Sequence, residues 1–260
     1  MRTLYQSVRL FLALGLATSI TACSGSNTTD TANNQGTAPT EETNVAEGGE
    51  GGEGGEGGEA NNEGGEGGSP GEKANAEFQD KLSGAELLSA LQKGGHIIYF
   101  RHAQTDKDYA DQADPKMKLD NCETQRKLND VGIKQAKDIG AAFTKKKIPV
   151  GEVITSDYCR AWKTADLAFG KHKKNSKLNF LPFEEYTEAQ VAEMKANITP
   201  LLTAVPPSGK NTVIVGHDDI FEAGTGIYPD PQGMAYVLTP DGKGGFTIQA
   251  NMLPEDWSKL

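Results

Sequence analysis

The apolar positions change period several times along the chain, and each change marks an element. Residues 10–17 form one unbroken apolar run, Leu-Phe-Leu-Ala-Leu-Gly-Leu-Ala, which extends to Ile20. Between residues 24 and 75 Val45 is the only large apolar side chain. Beyond that the spacing turns regular. Leu87, Leu88 and Leu91 recur at helical spacing behind the capping-box pattern Ser83-Gly84-Ala85-Glu86, and Gly94-Gly95 stops the run. His96-Ile97-Ile98-Tyr99-Phe100 reads as a buried strand. Val131, Ile133, Ala136, Ile139 and Phe143 mark a helix that Asn129 begins and residues 145–147, all lysine, end in keeping with the macrodipole. Val153-Ile154-Thr155 is a short strand, residues 160–169 a helix closed by Gly170, and residues 178–181 a further strand. Thr187-Glu188-Ala189-Gln190 caps another helix, which Pro200 is expected to break. Thr212-Val213-Ile214-Val215 is a second buried strand. Residues 234–238 and 246–249 flank Pro240-Asp241-Gly242-Lys243-Gly244-Gly245, a hairpin signal. Strands alternating with helices predict an α/β layered domain.

Charge sharpens the division. The 260 residues carry 26 Lys+Arg against 36 Asp+Glu, a formal net charge of −10. Residues 24–75 hold eleven of the acids and one base, whereas residues 76–260 hold 25 acids and 23 bases. The acidity therefore belongs to a low-complexity stretch. The near-neutral remainder lacks the basic footprint of a nucleic-acid binder. Fifteen of the 31 glycines fall in residues 24–75, many in a Gly-Gly-Glu repeat running from 47 to 68. Glycine raises the entropy lost on ordering and the glutamates repel one another, so a disordered tether is expected over 24–75. Residues 76–260 suffice for one domain with a substantial core.

The first segment is an address. Arg2 and Arg9 precede an apolar run shorter than the roughly 18–20 residues of a spanning helix, the grammar of a signal peptide over 1–23. It ends in Ile20-Thr21-Ala22-Cys23, which resembles a bacterial lipoprotein lipobox. The resemblance implies diacylation of the Cys23 thiol and cleavage before it. Each buried CH₂ of such chains is worth about 0.8 kcal/mol of membrane attachment. The expected location is the cell envelope, lipid-anchored, with Ser24 after the cysteine pointing to the outer membrane if the envelope is Gram-negative.

Two strand ends terminate in histidine: Phe100-Arg101-His102, and Val215-Gly216-His217-Asp218-Asp219. In an open α/β sheet the carboxyl ends of strands share a rim where ligands bind. Imidazoles there, one beside an arginine, make a candidate anion site. A guanidinium grips phosphate with two parallel hydrogen bonds, and a neutral imidazole in the correct tautomer can attack phosphorus.

Arg101-His102-Ala103-Gln104-Thr105 resembles the Arg-His-Gly signature of the histidine phosphatase superfamily, the phosphoglycerate mutase-like fold. Leu128-Asn129-Asp130-Val131-Gly132 with Gln135-Ala136 resembles the family's following helix start. Residues 156–165, Ser-Asp-Tyr-Cys-Arg-Ala-Trp-Lys-Thr-Ala, resemble its Ser-x-x-x-Arg-Ala-x-x-Thr-Ala segment, and Val215-Gly216-His217 its second histidine segment. The matches fall in the family's order over residues 94–240. The resemblance implies a three-layer α/β/α sandwich with a mostly parallel central sheet. It implies His102 as nucleophile, Arg101 and Arg160 as the phosphate-binding arginines, and His217 as the second histidine on the transferring phosphoryl group. Such a site works by charge stabilisation and in-line positioning, so no metal or cofactor is expected. The leaving-group acid stays open between Asp218, which forms a literal His-Asp pair, and the mid-chain Glu184 and Glu185. Ala103 departs from the family glycine and puts a β-carbon beside the phosphate loop.

The remaining residues are weighed individually. Thr105 either donates to phosphate or caps its loop. Arg126 reads as a surface ion-pair residue, His96 as structural and His172 as exposed. Asp106, Asp108, Asp111 and Asp114 read as a solvated loop, without the placement of a calcium loop. Cys122 and Cys159, the even pair left after Cys23, are a disulfide candidate in an exported domain. The leading expectation is a lipid-anchored phosphomonoesterase acting on a small phosphorylated substrate through a phospho-histidine. The alternative is an envelope module that binds a phosphorylated or anionic ligand without turnover. A mutase fits less well, since its sugar-phosphate pool is cytoplasmic. Apart from the membrane, the sequence indicates no protein partner.

Overall fold

The computed structural model describes residues 68–106, 114–182 and 185–260. Cys23, the leader and the tether as far as residue 67, Asp108, Asp111 and Glu184 lie outside the described residues.

Among the described residues the elements follow one another as α1 (Pro70–Ala76), α2 (Gly84–Lys93), β1 (Ile97–Arg101), α3 (Asp130–Lys145), β2 (Val150–Thr155), α4 (Cys159–Phe169), β3 (Lys173–Lys174), α5 (Glu188–Thr203), β4 (Asn211–Gly216), α6 (Asp218–Thr225), β5 (Ala235–Pro240) and β6 (Phe246–Met252). The six strands form one sheet in the order β3-β2-β4-β1-β5-β6. Strand β1 runs parallel to β4, β4 parallel to β2, and β2 parallel to β3. The hairpin strands β5 and β6 add an antiparallel edge. The fold is a mixed α/β sandwich, a mostly parallel sheet flanked by helices.

Strand periodicity divides the core between the two faces of the sheet. Ile98 and Phe100 of β1 join Val213 and Val215 of β4 on one side, under Leu87 and Leu91 of α2, Ile139 and Phe143 of α3, and Trp257. Ile97, Tyr99 and Ile214 face the other way, against Met194, Ile198 and Leu202 of α5 and Ile220 and Phe221 of α6. With both faces covered, every residue of β1 and β4 is buried. Each fully buried aliphatic or aromatic side chain contributes about 1.5–3 kcal/mol, which anchors the two strands that end in histidine.

Several expectations change. Order begins before residue 76: Ser69 caps α1, its hydroxyl accepting from the Glu72 amide while Glu72 accepts from the Ser69 amide. The helix docks where Tyr228 N donates to Gly71 O at 3.1 Å and Asn75 Nδ2 donates to Asp230 O at 2.9 Å. The pattern Ser-x-x-Glu at 69–72 is a capping box hidden by the glycines around it. Ser83, by contrast, precedes α2 without a side-chain capping bond. Pro200 does not break α5, which runs on to Thr203 with Ile198 and Leu202 buried on either side of it. One missing amide is outweighed by that apolar anchoring. Residues 178–181 add no strand. A 3₁₀ turn at Ser176–Leu178 precedes them, and the strand of this region is the exposed pair Lys173–Lys174. Leu178 and Phe180 are buried by packing beneath the sheet's rim rather than by extending it.

Candidate active site

The register Phe100↔Val215 and Arg101↔Gly216 brings the ends of β1 and β4 level, so His102 and His217 emerge side by side. Their rings lie 5.4 Å apart, edge to face, and both are buried. The His102 amide donates to Gly216 O at 3.0 Å, which locks the two ends together. Tyr99 adds a clasp from below. Its hydroxyl donates to His217 O at 2.7 Å and accepts from His217 N at 2.9 Å. Gly216 makes room for it, since a Cβ at that position would sit 2.2 Å from the Tyr99 hydroxyl oxygen.

The two imidazoles have opposite partners. His102 Nδ1 is 2.9 Å from Ala103 O. A carbonyl only accepts, so Nδ1 carries the proton and Nε2 keeps its lone pair. Arg160 Nε donates to that Nε2 at 3.1 Å. His217 Nε2 lies 2.7 Å from Ser156 Oγ, and its Nδ1 is buried with no hydrogen-bond partner. Burial, reinforced by the charges of Arg160 and then Arg126, holds His102 well below its ordinary 6.5. Burial, Arg160 and His102 do the same to His217. Both rings are neutral at neutral pH.

Helix α4 aims Arg160. Its guanidinium packs over the Tyr158 ring at 4.7 Å and the Phe180 ring at 5.5 Å. Thr164, one turn further along, donates to Arg160 O at 2.7 Å and accepts from Ala103 N at 3.1 Å, joining α4 to the loop after His102. Cys122 and Cys159 form a disulfide that ties the segment before α3 to the residue beside Arg160. Closing a loop of this length stabilises the fold by roughly 3–4 kcal/mol in the chain-entropy model. Helix α3 braces the same loop: a Cβ at Gly132 would come 1.9 Å from Gln104 O, so only glycine permits the approach. Ala103 packs its methyl against Leu128 and Ala136 and is fully buried. The Ala103 β-carbon therefore sits in an apolar niche.

Other expected residues take different places. Arg101 is buried in a carboxylate frame. It pairs with Asp218, and its Nη1 donates to Asp230 Oδ1 at 2.8 Å and Pro229 O at 3.1 Å. Asp218 also accepts from the Tyr228 hydroxyl at 2.8 Å. Burial opposes its ionisation, but the Arg101 guanidinium and then that hydrogen bond hold it at about 2. Asp218 is thus a carboxylate, the wrong protonation state for a donor near neutral pH. Burial and the Asp218 charge push the adjacent Asp219 up to about 7, with the Tyr186 hydroxyl 3.4 Å away. Glu185 is exposed. The Thr105 hydroxyl and amide both donate to Gln232 Oε1, at 3.2 and 2.8 Å. Arg126, expected on the surface, is 9% exposed. His96 bonds Thr239 Oγ1 through Nδ1 at 3.0 Å, and His172 stacks on Trp162 and pairs with Asp166. Asp106 and Asp114 are exposed.

Sequence reasoning left Ser156, Tyr99 and Asp219 without roles. Ser156 follows β2 directly, and β2 is parallel to β4, so its position beside His217 follows from strand order. A hydroxyl in the middle of an otherwise apolar strand was the available signal for Tyr99.

Residues 97–198 match the family model described as the histidine phosphatase superfamily, branch 1. The matched span contains His102 and Arg160 and stops before His217. No curated protein matches the chain. Among solved structures, the protein histidine phosphatase SixA complexed with tungstate is similar at 15% identity and a TM-score of 0.45, covering 62% of this chain and 98% of that one. A phosphoserine phosphatase mutant from Entamoeba histolytica in complex with phosphoserine has 15% identity, a TM-score of 0.43 and coverage of 60% and 95%. A mycobacterial glucosyl-3-phosphoglycerate phosphatase has 16% identity, a TM-score of 0.42 and coverage of 60% and 97%.

Proposed function

We propose that the chain is a lipid-anchored phosphohydrolase of the histidine phosphatase superfamily, cleaving small phosphate monoesters through a phospho-histidine on His102. The observation that carries this reading is the tautomer of His102. Its Nδ1 proton is spent on Ala103 O, leaving the Nε2 lone pair beside the Arg160 guanidinium. The family match over residues 97–198 supports the assignment, and the Cys122–Cys159 disulfide accords with an exported domain.

In the first step the Nε2 lone pair of His102 attacks phosphorus. A P–N bond forms as the bond from phosphorus to the ester oxygen breaks. Charge on the equatorial oxygens is met by Arg160 and by His217. Ser156 donates its hydroxyl to His217 Nε2, so that Nδ1, otherwise unpartnered, presents its proton to a phosphoryl oxygen. The departing oxygen takes a proton. Of the two neighbouring carboxyls Asp218 is held ionised by Arg101, whereas Asp219, pushed up to about 7, keeps part of its proton near neutral pH, which makes it the carboxyl proposed here to supply the proton. In the second step a water oxygen attacks phosphorus, Asp219 recovers a proton from that water, and the P–N bond breaks to regenerate the lone pair. Cys23 is assigned as the lipid attachment point and the envelope as the site of action. The test is release of phosphate from p-nitrophenyl phosphate by the intact chain and by His102→Ala. Equal turnover by the two proteins sinks the reading. Phosphate binding with no release from a broad ester panel marks a binding module instead.

A further inference from the structure

The frame around Arg101 reaches further than the pocket. Two segments hold the guanidinium: Asp218 at the start of α6, and the turn that follows that helix, through Pro229 O and Asp230 Oδ1. Tyr228 belongs to the same turn, with its hydroxyl on Asp218 and its ring centre 5.3 Å from the guanidinium carbon. Both held residues adjoin the paired imidazoles in the chain, since Arg101 precedes His102 and Asp218 follows His217. Helix α1 clasps this turn from outside. Gly71 O accepts from Tyr228 N at 3.1 Å, and Asn75 Nδ2 donates to Asp230 O at 2.9 Å. The other end of the Asn75 amide is tied to the sheet, where Oδ1 accepts from the Tyr236 hydroxyl of β5. Tyr236 stands opposite Tyr99 in the register of β5 on β1, and Tyr99 is the residue that clasps His217. One half-buried amide thus closes a circuit between the turn that grips Arg101 and the strand beside β1. An amide suits the post, since it carries a donor and an acceptor on one rigid plane.

We infer that Asn75 is a positioning residue for the reaction: by tying the Asp230 carbonyl to Tyr236 it fixes the turn that holds Arg101, and through it the strand ends that present His102 and His217. The inference rests on the phosphatase reading of this pocket and goes beyond it, because it makes a helix outside the sheet, next to the tether in sequence, part of the active-site frame. A displacement of about 1 Å in a group remote from the chemistry can cost about 100-fold in rate. Loss of one neutral hydrogen bond in the frame shifts the population of the productive arrangement by about 3- to 10-fold.

The test compares the intact wild-type chain with Asn75→Ala, Asn75→Asp and Phe78→Leu, by kcat and KM on p-nitrophenyl phosphate, melting midpoint and backbone amide exchange. Asn75→Ala removes both bonds, whereas Asn75→Asp keeps the acceptor for Tyr236 and loses the donor to Asp230. Both are expected to lower kcat by about 3- to 10-fold with KM little changed, and to speed exchange at Tyr228, Asp230 and residues 101–103. Phe78 packs edge-on against Tyr236 at 5.4 Å, just beyond α1, so Phe78→Leu loosens the docked helix and leaves the bond to the turn in place. Its melting midpoint should fall while kcat stays near wild type. Wild-type kcat in the folded Asn75 variants overturns the inference and leaves the phosphatase reading standing. An equal loss of kcat in Phe78→Leu and Asn75→Ala also overturns it, because docking of the helix alone then accounts for both. A wild type without turnover removes the phosphatase reading, and exchange then decides: faster exchange at residues 101–103 in Asn75→Asp keeps the positioning role, and unchanged exchange overturns it. Should Asn75→Ala fail to fold, Asn75→Asp carries the same comparison.

Discussion

The ends of β1 and β4 lie side by side, both finish in a buried histidine, and the two rings do opposite things. At the end of β1, Nδ1 faces the Ala103 carbonyl and Nε2 meets a donor, Arg160. At the end of β4, Nε2 meets the Ser156 hydroxyl and Nδ1 has no partner. Burial and arginine charges keep both rings neutral, so charge does not distinguish them. The partner of one nitrogen decides what the other can do. The carbonyl leaves a lone pair on the first ring's Nε2, as the proposed nucleophile requires, and a proton donated by the Ser156 hydroxyl would leave the second ring's Nδ1 as the donor. The two carboxyls that follow His217 repeat the lesson, since Arg101 keeps Asp218 ionised while Asp219, beside that charge, retains a proton near neutral pH.

The comparison breaks most visibly if the rings are exchanged in importance. His102→Asn is expected to lower kcat by roughly 10⁴-fold or more, as loss of a nucleophile does, whereas His217→Asn costs about 10²–10³, as loss of an oxyanion donor does. Steady-state kinetics on one ester checks both, and equal losses would show that the rings share one role.

Asp219→Asn sharpens the carboxyl half of the comparison. The folded value of about 7 means that Asp219 is protonated below that pH and ionised above it. The wild-type rate should therefore hold on the acid side and fall tenfold per unit above about 7. No acid limb is expected near 6.5, because His102 stays neutral well below that pH. In Asp219→Asn the alkaline limb flattens and kcat on an alkyl phosphate drops by about 10²–10⁴. The drop is smaller for p-nitrophenyl phosphate, whose leaving group needs little proton help. An unchanged alkaline limb assigns the proton to another group.

Ser156→Ala is a milder test. It removes one hydrogen bond from His217 and frees the ring to change tautomer, for an expected loss of about tenfold in kcat with KM little changed. A rate equal to wild type means that Ser156 does not set the tautomer. Ala103→Gly has the smallest expected effect. Removing a methyl buried against Leu128 and Ala136 costs about 1 kcal/mol of stability and leaves kcat near wild type. A large gain in kcat would show that the methyl crowds the phosphate after all.

Much of this was legible in the chain. Apolar runs ending in Arg101-His102 and Gly216-His217 located both strand ends, and the even pair of cysteines left after Cys23 pointed to the bridge. These signals are local, because a buried parallel strand writes itself as consecutive apolar residues. Partner choice was not legible. Arg101 and Asp218 are joined across β1 and α6, and nothing at either position records that pairing. Arg126 looks like a surface residue in Gln-Arg-Lys, yet Gln125 and the disulfide turn it inward. Pro200 misled for a similar reason, since the packing of Ile198 and Leu202 outweighs a local preference. Ala103 raised a concern about crowding that its chain neighbours could not answer, since the burial of its methyl with Leu128 and Ala136 is a tertiary fact.

The claim beneath all of this is that His102 Nε2 becomes covalently bonded to phosphorus during turnover. The direct measurement is to mix the intact chain with a monoester labelled in its phosphoryl group, quench in denaturant at alkaline pH, and locate the label by fragmentation. The account predicts an alkali-stable, acid-labile adduct on His102, absent from His102→Asn. Turnover that proceeds with the label on another residue, or with none on the protein, contradicts it.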